Sequence, residues 1–423
     1  MSLLSENQTK DLNAAIISYL SLSGNVDPQL VDNLRDQLDC SAIDEFSGIL
    51  ERKWISVIRL QKRVMSLEEQ VKQLESQIEL TGIHSKSITD GSKWLPRSQR
   101  FRLQGHRGQV NSVAFHPQIL QLASCSDDCT VKIWDYESGL IEQTLRGHSR
   151  SVIDIAYGSD PILLASCSSD LTIRLWDATT YNNIRTLRGH EHTVSSVRFL
   201  PDNKTLASAS RDTTIKLWDV ISGYCTRTIR AHSQWVKSIS PSPDGSLLVS
   251  GGLDHLVTIT TLSGETKAVL RGHSHVIEKV LFAPESSHAF LNKISGVAQA
   301  NGSTGPVGSA TGFVVSVSRD MTMKIWDIRG KLVATLVGHE NWVRDLAFHP
   351  SGRYILSVAD DKSIRCWDLA ENPPKLVRTI PQAHDHFISS IKWAPNDYSQ
   401  VDNPRIRCVV ATGSVASDVK VWS

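Results

Sequence analysis

A chain of 423 residues, 40% hydrophobic and 21% charged, can bury a large core and is not globally disordered. It holds no run of about 18 apolar residues, so no transmembrane helix is expected, and the opening "MSLLSENQTKDLNAA" lacks the basic and apolar regions of a secretion signal. The net charge of +1 is too mild for a general nucleic-acid binder, but it is uneven: residues 1–96 carry ten Lys/Arg and fourteen Asp/Glu, leaving an excess of +5 on residues 97–423.

In the first forty residues, Leu12, Ala15, Ile16, Tyr19 and Leu20 fall on one helical face. Gly24 interrupts the pattern. Asp27-Pro28 then supplies an N-cap and a first helical position for a second short helix carrying Leu30, Leu34 and Leu38. Two such helices bury little by themselves, which favours a paired bundle, and "LNAAIISYLSLSG" resembles the LisH dimerisation motif, with Leu12, Ile16 and Leu20 on its apolar face.

A capping-box signal, Ser41-x-x-Asp44, opens a third helix over 41–80. Val57, Leu60, Val64, Leu67, Val71, Leu74 and Ile78 follow in alternating steps of three and four. β-Branched residues mostly hold the first seam position and leucines the fourth, the pattern of a two-stranded parallel coiled coil. A polar linker, 81–96, is expected next. Two chains joined at their N-termini would each carry one C-terminal domain, and engagement of the first would raise the effective concentration of the second.

The remainder is a repeat. His106, His148, His190, His232, His273, His339 and His384, each after Gly or Ala, are separated by 42, 42, 42, 41, 66 and 45 residues. Trp134, Trp176, Trp218, Trp326, Trp367 and Trp422 follow in register, and Thr260 takes the Trp position of the fourth repeat. An Asp lies six residues before that position in six repeats (Asp128, Asp170, Asp212, Asp254, Asp320, Asp361), with Ala416 in the seventh. A Ser or Thr lies ten before it, and a period-2 apolar run follows each His. These signals resemble WD40 repeats and imply, over 97–423, an all-β seven-bladed propeller behind an α-helical N-terminus.

The recurring His, Ser/Thr and Asp have the residue types of a hydrolase triad. Catalysis needs one nucleophile, however, and this set returns in nearly every repeat, so a buried hydrogen-bond network is expected. Ala416 leaves that network incomplete in the seventh repeat. The chain ends one strand short of a full last blade, and Arg100–Leu103 is placed to complete it and remove an open edge. Surface insertions are expected in the fifth repeat ("SSHAFLNKISGVAQANGSTGPVGSATG", a flexible loop) and the seventh ("NDYSQVDNPR"). The seven Cys are scattered. Only Cys125 and Cys129 are close, with no metal-ligand spacing, so no metal and no cofactor is expected, and reduced thiols in the cytoplasm are.

In a propeller, the residue before each turn Asp and the residues just after each His open on one face. In repeats three to seven that rim holds Arg211, Trp235, Lys237, Arg319, Trp342, Arg344, Lys362 and Phe387, whereas repeats one and two place mostly small or neutral residues there. Arg beside exposed Trp is the composition of an interface hot spot. Basic residues do not continue round the ring, so an acidic protein surface suits the rim better than nucleic acid.

The LisH-like start, the coiled coil, "WLPR" before the ring, and the strings "WVKSISPSPDGSLLVS", "FVVSVSRDMTMKIWD", "GHENWVRDLAFH" and "DDKSIRCWD" together resemble the lissencephaly-1/nuclear distribution family along the whole chain. The resemblance implies a non-enzymatic homodimer that binds the heavy chain of cytoplasmic dynein and NudE-type coiled-coil adaptors. It would act in the cytoplasm at microtubule plus-end complexes and spindle poles, in nuclear migration and spindle positioning, without nucleic acid or membrane insertion. The family's dynein-facing residues match Arg211, Lys237, Arg319, Trp342 and Lys362. Lys237 stands where Arg is common, and Lys cannot pair bidentately. Two other roles fit the architecture: a LisH–WD40 scaffold subunit of a ubiquitin ligase or corepressor, and the non-catalytic subunit of a platelet-activating-factor acetylhydrolase.

Overall fold

Residues 95–159, 162–296, 312–395 and 408–423 are described by a computed structural model. The LisH-like helices, the heptad seam from Val57 to Ile78, most of the 81–96 linker and the seventh-repeat insertion lie outside the described residues.

Seven four-stranded antiparallel sheets are arranged as blades, which bears out the propeller expected from the repeats. The first is β2 (Val110–Phe115), β3 (Gln121–Ser126), β4 (Thr130–Asp135) and β5 (Ile141–Arg146), innermost to outermost. The innermost strands of the next five blades are β6 (Val152–Tyr157), β10 (Val194–Phe199), β14 (Val236–Pro241), β18 (Ile277–Phe282) and β22 (Val343–Phe348). The seventh blade takes β26 (Ile388–Trp393), β27 (Val410–Ser414) and β28 (Asp418–Trp422) from the end of the chain, and β1 (Gln99–Gln104) from before the ring. Leu103 pairs with Val419 across that seam, as the missing strand required.

Apolar residues of neighbouring blades share one core. Leu175 of the second blade packs with Val194, Leu206 and Trp218 of the third, and the same overlap recurs round the ring. Each of the seven innermost strands carries a bulge that leaves one residue unpaired: Asn111, Ile153, Ser195, Lys237, Glu278, Arg344 and Ser389. Bulges re-aim side chains, and these seven ring the channel mouth.

The repeated polar residues form the expected network. In the third blade His190 Nδ1 lies 2.7 Å from Asp212, His190 Nε2 lies 2.7 Å from Ser208 Oγ, and the Trp218 indole donates to the same hydroxyl at 2.8 Å. An imidazole protonated at Nδ1 satisfies every member: indole to hydroxyl, hydroxyl to Nε2, Nδ1–H to carboxylate. The Asp also accepts from the turn. In "SRDTTI", the Asp212 amide donates to Ser210 Oγ, and the Thr214 amide and hydroxyl donate to Asp212. The residue after each turn Asp is left-handed without being Gly, at φ 70° for Thr213 and 65° for Met321.

Three details depart from expectation. In the seventh blade the network is completed from the next strand, because Asp418 reaches His384 at 3.3 Å in place of Ala416. Arg102 on β1 pairs with that same carboxylate at 2.8 Å, tying the closing strand to it. In the fourth blade Thr260 cannot replace the indole, and its hydroxyl is buried with no hydrogen-bond partner among the described residues. The fifth-repeat insertion begins as a helix, α1 (Glu285–Ser295), not a loop. Phe290, Leu291 and Ile294 turn one apolar side onto the core beside Phe313 and Leu336, and Gly296 ends the helix at φ 73°. Residues 297–311 lie outside the described residues.

Replacing Ser208 by Ala would strand the buried indole and ring nitrogens, so Ser208→Ala is expected to lower stability by about 1–3 kcal/mol, read from the urea midpoint. Acid should unfold the ring in two stages. Burial lowers the His106, His339 and His384 rings, against the pull of their Asp partners. The unfolded chain therefore takes up more protons, and stability should begin to fall below roughly pH 6.5. Burial alone would raise the Asp128 carboxyl, but hydrogen bonds from Thr130, the Arg107 amide and His106 hold it at about 2. That contribution is full above an unfolded value of roughly 3.9 and is lost as pH falls through the folded value. Melting temperatures followed by circular dichroism should show both steps; an unchanged melting temperature from neutral pH to about pH 4 would contradict the first.

Candidate functional site

The turn network dictates which residues reach the surface. The residue before each turn Asp donates its amide to the residue three beyond its own repeat's His: Arg211 to Thr193, Leu253 to Trp235, Arg319 to Val276 and Asp360 to Trp342, each at 2.9 Å. The two rim positions are thereby fixed side by side in every blade. Arg in a turn then meets the aromatic of the next blade. The Arg211 guanidinium lies 4.5 Å from the centre of Trp235, and Arg319 lies 4.4 Å from the centre of Trp342. Arg344, from the bulge on β22, also covers Trp342 at 5.2 Å. Each stack is backed by a His from the segment after the repeat His of the preceding blade, with His192 6.3 Å from Trp235 and His275 6.2 Å from Trp342.

The structure therefore gathers Arg211, Trp235, Lys237, Arg319, Trp342 and Arg344 on one side of the ring. Trp235 is 41% exposed and Phe387 44%, while Trp342 is half-buried under its two arginines. A cavity of about 410 Å³ at the channel mouth is lined by Arg211, Lys237, Glu278, Arg344 and Phe387. A smaller one of about 180 Å³ lies beside it, among Arg211, Trp235, Lys237 and Arg319. Lys362 sits in its turn at φ 63° and donates to the Asp385 carbonyl at 2.8 Å, so it faces the seventh blade.

The cations of this rim are not bare. Glu278, buried at the bulge on β18, forms ion pairs with Lys237, Arg319 and Arg344, the last at 3.5 Å. Asp360 takes Arg344 bidentately at 2.8 and 2.7 Å. Burial alone would raise the Glu278 carboxyl, yet Lys237 and Arg344 hold it below its usual range. Burial lowers Lys237, with Glu278 opposing. Three cations thus share two carboxylates, and Arg211 beside them adds a further positive charge to this stretch of the rim. Sequence reasoning missed Glu278 as their shared counter-ion, although it stands five residues after His273, the position held by Lys237 after His232 and Arg344 after His339.

Among the described residues no cluster of His, Cys, Asp or Glu fits a metal ion. Every network hydroxyl, from Ser124 to Thr412, is buried beneath the blades.

The fold defines a WD-repeat propeller. The model for the WD domain, G-beta repeat, matches residues 97–135, 139–177, 181–219, 223–259 and 330–368, leaving out the two stretched repeats. The chain is 45% identical over 449 residues to nuclear distribution protein PAC1-1 of Uncinocarpus reesii, spanning 99% of each. It is 44% identical over 450 residues to nuclear distribution protein nudF of Emericella nidulans, spanning 100% of this chain and 99% of that one, and 43% identical to nuclear distribution protein PAC1 of Tuber melanosporum. The chain belongs to the nudF/PAC1 family of nuclear distribution proteins, as the sequence resemblance indicated.

Glu278→Gln would leave Lys237, Arg319 and Arg344 without their common partner. It is expected to lower stability by about 1–3 kcal/mol. The loss should shrink as salt rises, because the uncompensated cations are then screened. Urea midpoints at low and high ionic strength check both statements, and an unchanged midpoint at low salt would contradict the shared counter-ion.

Proposed function

We propose that this chain is a non-enzymatic, dimeric regulator of cytoplasmic dynein that grips an acidic surface of the motor domain with the rim of Arg211, Trp235, Lys237, Arg319, Trp342, Arg344 and Lys362. One observation carries the reading: two arginine–tryptophan stacks, each bridging neighbouring blades, stand on a stretch of rim where Arg211, Lys237, Arg319 and Arg344 outnumber the carboxylates of Glu278 and Asp360. Stacking on indole holds each guanidinium in place while leaving edge donors for a partner carboxylate, which can take two of them at once. The names of the relatives, nuclear distribution proteins, support a role in nuclear migration. Burial of the repeated Ser and His side chains supports the absence of catalysis, since no substrate reaches them.

The rim would bind one motor conformation better than another and shift the population accordingly, which requires differential affinity between the two. The N-terminal segment would pair two such rings through Leu12, Ile16, Leu20 and the seam from Val57 to Ile78. NudE-type adaptors and plus-end complexes would deliver the dimer to microtubule plus ends and spindle poles in the cytoplasm.

The double variant Arg319→Ala, Trp342→Ala should lose about 2 kcal/mol or more of binding energy for purified dynein motor domain, roughly thirtyfold in affinity, with an unchanged circular dichroism spectrum. Binding should also weaken as salt rises. Unaltered affinity in the double variant would overturn the assignment of the rim. Removing residues 1–80 should give monomers in sedimentation velocity with weaker apparent affinity; a persistent dimer would overturn the N-terminal pairing.

A further inference from the structure

Below the rim the channel carries a second set of charges. The residue after each bulge and the one three beyond it also face inward, and in this chain several are ionic. Asp154 on β6 accepts from Arg198 of the next blade at 2.8 Å and from the Ser196 hydroxyl at 2.8 Å. Asp345 on β22 accepts from Lys392 of the next blade at 3.0 Å and from the Ile391 amide at 3.1 Å. Each carboxylate is thus matched by a cation from its neighbour.

Lys279 on β18 has no carboxylate of its own. Its ammonium reaches towards Asp154, three blades away, and stops at 3.9 Å, beyond hydrogen-bond distance. Its side chain is only 11% exposed. Arg198 likewise keeps a spare donor: its Nη2 is buried with no hydrogen-bond partner among the described residues. A third cavity, of about 370 Å³, opens from the opposite face against Arg198 and Lys392, walled by Phe115, Tyr157 and Trp393. Three cations and two carboxylates therefore meet at the waist of the channel. One positive charge is left over, where an unpaired buried charge is costly. Burial presses the Lys279 ammonium down to about 8, with Asp154 opposing and Arg198 adding to the repulsion.

We infer that the waist of the channel binds a small multivalent oxyanion of the phosphate class, gripped by Arg198 and Lys279 with Lys392 beside them, where Arg198 and Lys392 face the cavity opposite the rim and Lys279 faces the cavity at the channel mouth. The spare Arg198 nitrogen and the under-partnered ammonium supply charge-assisted donors from two blades. An anion with several oxygens can take both, whereas chloride offers one centre. Lys279 and Asp154 also line the cavity at the channel mouth with Arg211, so the waist lies between the two cavities; Trp235, Trp342 and Lys362 line neither.

Inorganic phosphate is the probe, titrated calorimetrically into the full chain at constant ionic strength maintained with chloride, and followed in parallel by phosphorus NMR line width. Saturable binding of one phosphate per chain is expected. Arg198→Gln and Lys279→Met should each weaken it about tenfold or more, the value of one lost hydrogen bond between charged groups. Lys362→Ala on the rim, which lines neither cavity, should leave it unchanged. Absence of saturable binding to the unaltered chain overturns the site, as does equal binding by both channel variants or loss of binding on Lys362→Ala alone. If either channel variant fails to fold, the line width of phosphate with the unaltered chain still decides: broadening reversed by excess unlabelled sulfate supports the site, and unbroadened phosphate refutes it.

Discussion

One hydrogen-bonded chain of groups, running from indole to hydroxyl to imidazole to carboxylate, governs this molecule. Its last member, the turn Asp, also receives the turn amides, and so it holds a left-handed non-glycine residue in place: Cys129, Leu171, Thr213, His255, Met321 and Lys362 in six blades. Such a residue costs roughly 1 kcal/mol, and it persists because the carboxylate over-determines the turn. With the turn fixed, the residue before the Asp can only project outward next to the segment after the His. That is why two copies of nearly the same hexapeptide, "SRDTTI" and "SRDMTM", each set an arginine over the tryptophan of the following blade.

The second constraint is the bulge repeated on every innermost strand. It offers seven equivalent positions at the channel mouth, and the sequence varies them freely because the bulge does not depend on the side chain. Asn111, Ile153, Ser195 and Ser389 leave part of the mouth neutral, while Lys237, Glu278 and Arg344 concentrate charge over three consecutive blades. Scaffold and chemistry are thus separated: the buried network repeats and the exposed positions diverge. Glu278 gives the cations a common anchor, which limits their spread and keeps their side chains ordered before any partner arrives.

Legibility in the sequence follows the same division. The blades, their count and the closing strand were readable because His, Asp and Trp recur at set intervals and each marks a structural necessity. The rim residues were readable once that frame located them. Glu278 was not, because an acidic residue among bases looks like an exception until its burial beneath three of them is seen. Asp418 was missed because it stands two residues beyond the periodic position, where a strand instead of a turn presents the carboxylate. Helix α1 was hidden by the Gly- and Ser-rich stretch that follows it, although Phe290, Leu291 and Ile294 already lay on one side. The charges at the channel waist escaped notice because the residue type at their positions changes from blade to blade, with Asp154, Lys279 and Asp345 standing where other blades place Ser.

The clasp of the seventh blade links the two ends of the ring in time as well as in space. Leu103 on the opening strand must wait for Val419, 316 residues later, before its backbone groups find partners. At ribosomal speeds of about 5–20 residues per second, that wait is roughly 15 to 60 seconds. During it the nascent toroid is an arc with an unpaired edge at either tip, the arrangement most open to pairing with a second nascent copy. The charged tether from Arg102 to Asp418 has a bearing on endurance once the tips have met; because a second copy offers the same carboxylate, it is the nearness of the arc's own far end, covalently held in the same molecule, that favours self-closure over a stranger.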